Sequence, residues 1–255
     1  MSAYVVTLHS FMRGTGKSTL TARLGRLLSR DARVAVIDGD LTAPSQAQLL
    51  NVSPLEGHTL NDFLAGRCSA ADTALEVPTE PWGGSPDPAL SSATGCLYLV
   101  PASDQPHHLS QVARSEMPFD ELAQGLQDLS AALRLDLILL EAAAGLSGLS
   151  LPPLALADEL ALVMRLDQKD YQGTGVTLDV ARRLGVQQAR LIVNMVPGGY
   201  DLRQVEAKVA STYDAPVTAL SLPEPALAFD VPELSQVGRA LLTSSHHQGR
   251  GGPPR

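Results

Sequence analysis

The chain is expected to fold as an α/β protein, a mostly parallel sheet with helices on both faces, and three observations lead there. Short apolar runs and amphipathic stretches alternate along almost its whole length, the pattern of repeated strand and helix units. The run Leu135-Asp136-Leu137-Ile138-Leu139-Leu140-Glu141 is nearly continuous in its apolar residues, as expected of a parallel strand buried on both faces. The composition is that of an ordinary globular protein: of 255 residues, 44% are hydrophobic, 18% charged and 4% aromatic, so the core should be built from Leu, Val, Ile and Ala.

The first strand, Tyr4 to Leu8, runs into Ser10-Phe11-Met12-Arg13-Gly14-Thr15-Gly16-Lys17-Ser18-Thr19. A helical pattern with Leu20, Leu24, Leu27 and Leu28 follows, to about Arg30. A loop between strand and helix can point successive backbone N–H groups at phosphate oxygens, with Lys17 over the terminal phosphates and the Ser18 hydroxyl on a magnesium ion. The usual phosphate-loop spacing asks for glycine where Phe11 stands. The second strand, Val34-Ala35-Val36-Ile37, leads into Asp38-Gly39-Asp40. Alternation puts the two carboxylates on one side, at the strand end where ligands gather in open α/β sheets.

From Leu41 to Val77 the pattern is loosely helical, with a capped short helix from Thr59 that stops at Gly66. Pro78 to Gly95, rich in Pro, Gly and Ser, reads as a surface loop. Cys96 to Pro101 is a strand, followed by helical stretches at about 105–114 and 119–133. His107 and His108 point in different directions on such a helix and are expected at the surface. Strands at 159–166 and 189–194 flank a helix at 170–184. A helix at 201–212, a strand at 216–220 and a helix at 232–242 complete a single domain, 1–242, with a disordered tail at 243–255.

Several functions are disfavoured. No uncharged run exceeds the length of Ala142 to Ala157, which is too short for a bilayer and contains Gly145, Gly148, Pro152 and Pro153. The N-terminus enters a strand without a basic segment and a cleavable apolar stretch, so a cytoplasmic setting is expected. Cys68 and Cys96 are read as packing residues. A formal net charge of -8 argues against a surface made for nucleic acid. Arg182, Arg183 and Arg190 are the candidates for a local basic patch, but a solvated helix face is the preferred reading, so non-specific DNA binding is not favoured. The tail lacks the apolar stripe of a membrane anchor.

Arg13-Gly14-Thr15-Gly16-Lys17-Ser18-Thr19 resembles the deviant Walker A box of the MinD/ParA family of P-loop ATPases, with Met12 in the place of the signature lysine and Arg13 in that of the first glycine. The order of the remaining motifs matches that family too. Asp38 and Asp40 stand where it has its switch I Asp-x-Asp, and Glu141 stands where its Walker B strand usually ends in Asp. The resemblance implies ATP and Mg2+ as cofactors, with Arg13, Gly14, Thr15, Gly16, Lys17, Ser18 and Thr19 around the phosphates. It places Gly145 at the terminal phosphate and Asn194 and Pro223 at the base. It assigns Ser18, Asp38 and Glu141 to the metal, and Lys17 and Asp40 to catalysis, Asp40 by orienting the attacking water.

The function so implied is an ATP-hydrolysing switch that forms a nucleotide-dependent homodimer and, with an unknown protein partner, positions or partitions a cellular cargo. Two alternatives stay open: an ATP-dependent ligase or synthase on a related P-loop fold, and a nucleotide-binding adaptor that no longer hydrolyses, suggested by Met12 and Glu141. A bacterial tyrosine kinase is disfavoured by a tail without tyrosine. Arg13 either crosses to the phosphates of the opposite subunit, as the family's lysine does, or serves its own subunit or solvent.

Overall fold

The computed structural model describes residues 2–52, 57–78, 95–105, 108, 116–221 and 232–248. Its strands are β1 (Tyr4–His9), β2 (Arg33–Gly39), β3 (Leu75–Val77), β4 (Cys96–Val100), β5 (Leu137–Ala142), β6 (Glu159–Met164), β7 (Gln188–Val196) and β8 (Val217–Ser221). They form one eight-stranded sheet in the order β3-β4-β2-β5-β1-β6-β7-β8. All neighbours are parallel except β3, which runs antiparallel to β4 at the edge. The described helices are α1 (Lys17–Leu28), α2 (Gln46–Leu49), α3 (Leu60–Leu64), α4 (Phe119–Leu133), α5 (Leu151–Ala155), α6 (Gln168–Arg183), α7 (Leu202–Tyr213) and α8 (Pro232–Gln248).

Alternation along β1 explains how the layers form. Tyr4, Val6 and Leu8 pack on one side with Leu20, Leu24 and Leu28 of α1 and Leu234, Val237 and Leu241 of α8. Ala3 and Val5 face the other way, into a core shared by Ile37, Ile138 and Leu140 with Leu122, Leu126 and Leu129 of α4. Leu160, Leu162 and Met164 of β6 pack with Leu178 and Ala181 of α6 and with Val205 and Val209 of α7. Both faces of the central strands are therefore covered, which is why their sequences are continuously apolar. The mostly parallel sheet with helices on both faces is the architecture expected from the sequence.

Local signals set the helix starts. The Asp167 carboxylate accepts the Asp170 N–H at 3.0 Å ahead of α6, and Asp201 accepts the Arg203 N–H at 2.9 Å ahead of α7. Thr59 and Asp62 form a capping box on α3. By contrast Gly16 caps the start of α1, with no side chain on the helix's first N–H groups.

The structure differs from the sequence reading in three places. Within 41–77 the capped helix expected from Thr59 is present as α3, but the rest of the stretch forms α2 and the short strand β3 and is not loosely helical; Leu75, Glu76 and Val77 become a strand because β4 offers them an open edge. Three residues are too few to show alternation. The last helix does not stop at Leu242 but continues to Gln248. Thr243, Ser244 and Ser245, expected as tail, lie within this helix and turn their hydroxyls back onto the carbonyls of Arg239, Ala240 and Leu242, so their polar side chains are satisfied by the helix itself. The uncharged run at 142–157 also holds the short helix α5, with Pro at its first turn. Most of the helical stretch expected at 105–114, His107 included, lies outside the described residues. Among the described residues no helix is long and apolar enough to cross a membrane.

Candidate nucleotide-phosphate site

The loop after β1 is shaped by two glycines and held by its neighbours. Gly14 and Gly16 take φ of 76° and 84°, the left-handed region where a β-carbon is strained. At Gly16 a β-carbon would also run into the Asn194 amide. The Ser10 hydroxyl donates to the Met12 carbonyl at 2.8 Å, and the Gly145 N–H donates to the Ser10 carbonyl at 3.0 Å. Phe11 lays its ring against Gly173 of α6, so closely that a β-carbon there would overlap it. The residue that breaks the usual loop spacing is thus accommodated by a notch in a helix 162 positions away in the chain.

Under the loop the strand ends bring the acids together. Leu8 of β1, Glu141 of β5 and Asp38 of β2 are in register on adjacent strands. Glu141 is fully buried and accepts from Lys17 Nζ, from Ser18 Oγ at 2.5 Å and from Gln46 Nε2. Lys17 Nζ also lies 3.7 Å from Asp40 Oδ2. The other Asp40 oxygen accepts the Thr42 hydroxyl at 2.7 Å, and Thr42 in turn accepts from Arg13 Nη2 at 2.8 Å. Asp38 Oδ2 accepts the N–H groups of Ser45 and Gln46 at 2.8 and 2.9 Å, while its Oδ1 is buried without a partner. Burial, and then the neighbouring Glu141 carboxylate, raise the Asp38 carboxyl to about 7. Burial, and then the Lys17 charge, push His9 down to about 3.

This arrangement fits nucleotide phosphates with a hydrated divalent cation. Asp38 Oδ1 and Gln46 Oε1 are buried acceptors in need of donors, which water around a cation supplies, and the left-handed glycines leave the loop backbone uncovered by side chains. Among the described residues no three His, Cys, Asp or Glu side chains are grouped to cage a metal alone. Magnesium suits such a site, because it keeps several waters and takes one or two carboxylates together with phosphate oxygens.

Of the remaining residues singled out from the sequence, Asn194 sits beside the loop: its Nδ2 donates to the Thr15 carbonyl at 2.8 Å. A β-bulge between Val193 and Val196, with Met195 at φ 58°, sets Asn194 and Met195 against Gly16. Thr15 is buried with an unpartnered hydroxyl, and Thr19 is exposed on the first turn of α1. Pro223 lies outside the described residues. Of the arginines considered as a basic patch, Arg190 is paired with buried Glu159 at 2.9 Å and Arg182 with Asp179 at 3.2 Å. Thr42, Gln46 and Met195 were not singled out by sequence reasoning. Nearness to the Asp38-Gly39-Asp40 turn could have suggested Thr42, but the positions of Gln46 and Met195 depend on a short helix and a bulge with no periodic signature.

A parallel sheet carrying a Gly-rich loop, a loop lysine and strand-end acids at one edge defines the P-loop nucleotide-binding class. Residues 6–244 match the model of the CobQ/CobB/MinD/ParA nucleotide binding domain, and the chain belongs to that family. It is 25% identical over 199 residues to the uncharacterised ATP-binding protein MJ0547 of Methanocaldococcus jannaschii, an alignment covering 77% of this chain and 66% of that protein. Among solved structures it resembles cobyrinic acid a,c-diamide synthase from Mycobacterium smegmatis with bound ADP and magnesium, with a TM-score of 0.73, 17% identity and 98% of each chain covered. It also resembles the septum site-determining protein MinD of Pyrococcus horikoshii in complex with Mg-ADP, with a TM-score of 0.70 and 19% identity over 97% of this chain and 96% of that one. At these identities the two structures establish the likeness of fold.

Proposed function

We propose that the chain binds ATP with magnesium, hydrolyses it, and uses the nucleotide state to form a homodimer that positions or partitions a cellular cargo through a protein partner. The observation that carries this reading is the convergence of Lys17, Ser18, Asp40 and Glu141 beneath a loop with two left-handed glycines. Ser18, Glu141 and Asp38 would hold magnesium and its waters, and the ion supplies charge neutralisation to the phosphates. Lys17 and Ser18, both bonded to Glu141, would turn from that carboxylate to hold phosphate and metal in the loaded site. Arg13, Gly14, Thr15, Gly16 and Thr19 surround the phosphates. Asp40, steadied by Thr42, orients the attacking water. Asn194 braces the loop from behind and borders the base, while Gly145, which the resemblance places at the terminal phosphate, gives its N–H to the Ser10 carbonyl and so ties the segment after β5 to the loop.

A second reading, an ATP-dependent synthase, is supported by the likeness to cobyrinic acid a,c-diamide synthase. Both readings use the same phosphate site and differ in whether an organic acid is the acceptor. Calorimetry and phosphate-release assays test them together. The wild type is expected to bind ATP with magnesium, and Lys17→Ala to weaken binding severely because phosphate charge is left uncompensated. Asp40→Ala should retain binding and lose most hydrolysis. Equal ATP affinity in wild type and Lys17→Ala overturns the assignment, and phosphate release that requires an added organic acid favours the synthase.

A further inference from the structure

We propose that Gln46 is a positioning residue of the cation site, which restrains Glu141 and offers its own amide oxygen to the water shell of the ion. The inference rests on the reading of the site as one for a magnesium nucleotide. Gln46 is fully buried at the start of α2, and it touches each of the three residues assigned to the metal, Ser18 through its backbone carbonyl. Its backbone N–H donates to Asp38 Oδ2 at 2.9 Å. Its side-chain Nε2 donates to the Ser18 carbonyl at 2.9 Å and to Glu141 Oε2.

Both partners of the side-chain nitrogen are acceptors only, so the orientation of the amide is determined by its surroundings. Oε1 is consequently the unpartnered atom, a buried acceptor like Asp38 Oδ1, which belongs to the carboxylate bonded to the Gln46 backbone. Two neighbouring residues that each bury an acceptor without a donor are unfavourable unless something donates to them. Water molecules on a divalent cation do so. Gln46 also restrains Glu141, which stands where the resembling family usually has aspartate. An acid one methylene longer than aspartate has more freedom, and the bond from Gln46 to Oε2 holds its far oxygen while Oε1 faces Lys17 and Ser18. Groups that orient metal ligands in this way change metal affinity by about 10–100-fold when removed.

The test uses the full chain and calorimetric titration of ATP, once in EDTA and once across a Mg2+ series. Gln46→Met, which fills a similar volume without the amide, is expected to raise the Mg2+ concentration for half-maximal ATP binding by about tenfold or more, with metal-free ATP affinity unchanged. Gln46→Asn, which keeps the amide but draws it back, should shift the Mg2+ requirement in the same direction. In a Glu141→Asp background the effect of Gln46→Met should shrink, because the shorter acid lies out of reach of the amide. An unchanged Mg2+ requirement in both variants, or metal-free and metal-dependent affinities falling together, overturns the proposal. A wild type without Mg2+-dependent ATP binding overturns the functional reading as well.

Discussion

At the level of single residues, burial changes what a side chain does more than its identity does. His9 ends β1 fully buried, and its pKa falls from 6.5 to about 3 because desolvation, and then the Lys17 charge, oppose the cation. The unfolded chain therefore binds a proton at this position that the folded chain refuses. The contribution to stability is present above about pH 6.5 and is lost progressively as pH falls toward about 3. Asp38 acts with the opposite sign: its carboxyl is raised from 3.8 to about 7, so the folded state takes up the proton first and its contribution falls as pH rises through that range. Denaturant melts of wild type and His9→Leu at pH 7 and pH 5 separate the two effects. The variant is expected to lose less stability than the wild type on going to pH 5, and an equal loss in both would exclude His9 as the source. None of this was legible in the sequence, where His9 is one histidine beside a loop. The depth of its burial comes from strands far along the chain.

Between elements, the contact of Phe11 with Gly173 joins the phosphate loop to α6. A ring placed where the usual spacing has glycine must have somewhere to go, and the helix provides room only because residue 173 lacks a β-carbon. Gly173→Ala would otherwise favour the helix, since alanine is the better helix former by about 1 kcal/mol. The overlap with the ring should reverse that gain, giving a net destabilisation of about 1–3 kcal/mol in denaturant melts. Combining it with Phe11→Ala should recover part of the loss, because the overlap disappears with the ring. Additive losses in the double variant would mean that the two residues do not act as a pair. The sequence showed Phe11 as a departure from a motif, and only the packing shows how the fold accommodates it. The boundaries of α6 and α7 were by contrast nearly readable, because Asp167 and Asp201 announce their starts locally.

For the whole molecule, the proposed dimer brings Arg13 back into question. In a single chain its guanidinium is engaged with Thr42, which is bonded to Asp40, so it is expected to serve its own subunit. Light scattering with ATP in an Asp40→Ala background should show a dimer that persists when Arg13→Ala is added. Loss of the dimer would instead assign Arg13 to the opposite subunit. The apolar face of α8 is used within the core through Leu234, Val237 and Leu241. What the sequence by itself determined was the succession of strands and helices, the Gly16-Lys17-Ser18 loop, and the acids at the ends of β2 and β5. Each of these is written in residues next to one another, through periodicity, glycine and the strand-end position. What only the tertiary structure decided was which side chains meet: Glu141 with Lys17, Ser18 and Gln46, Asn194 with Thr15, and Phe11 with Gly173. These contacts depend on strand order and register. Placing β5 between β2 and β1 puts Glu141 beside Asp38 although 102 residues separate them in the chain, and no local pattern encodes that neighbour.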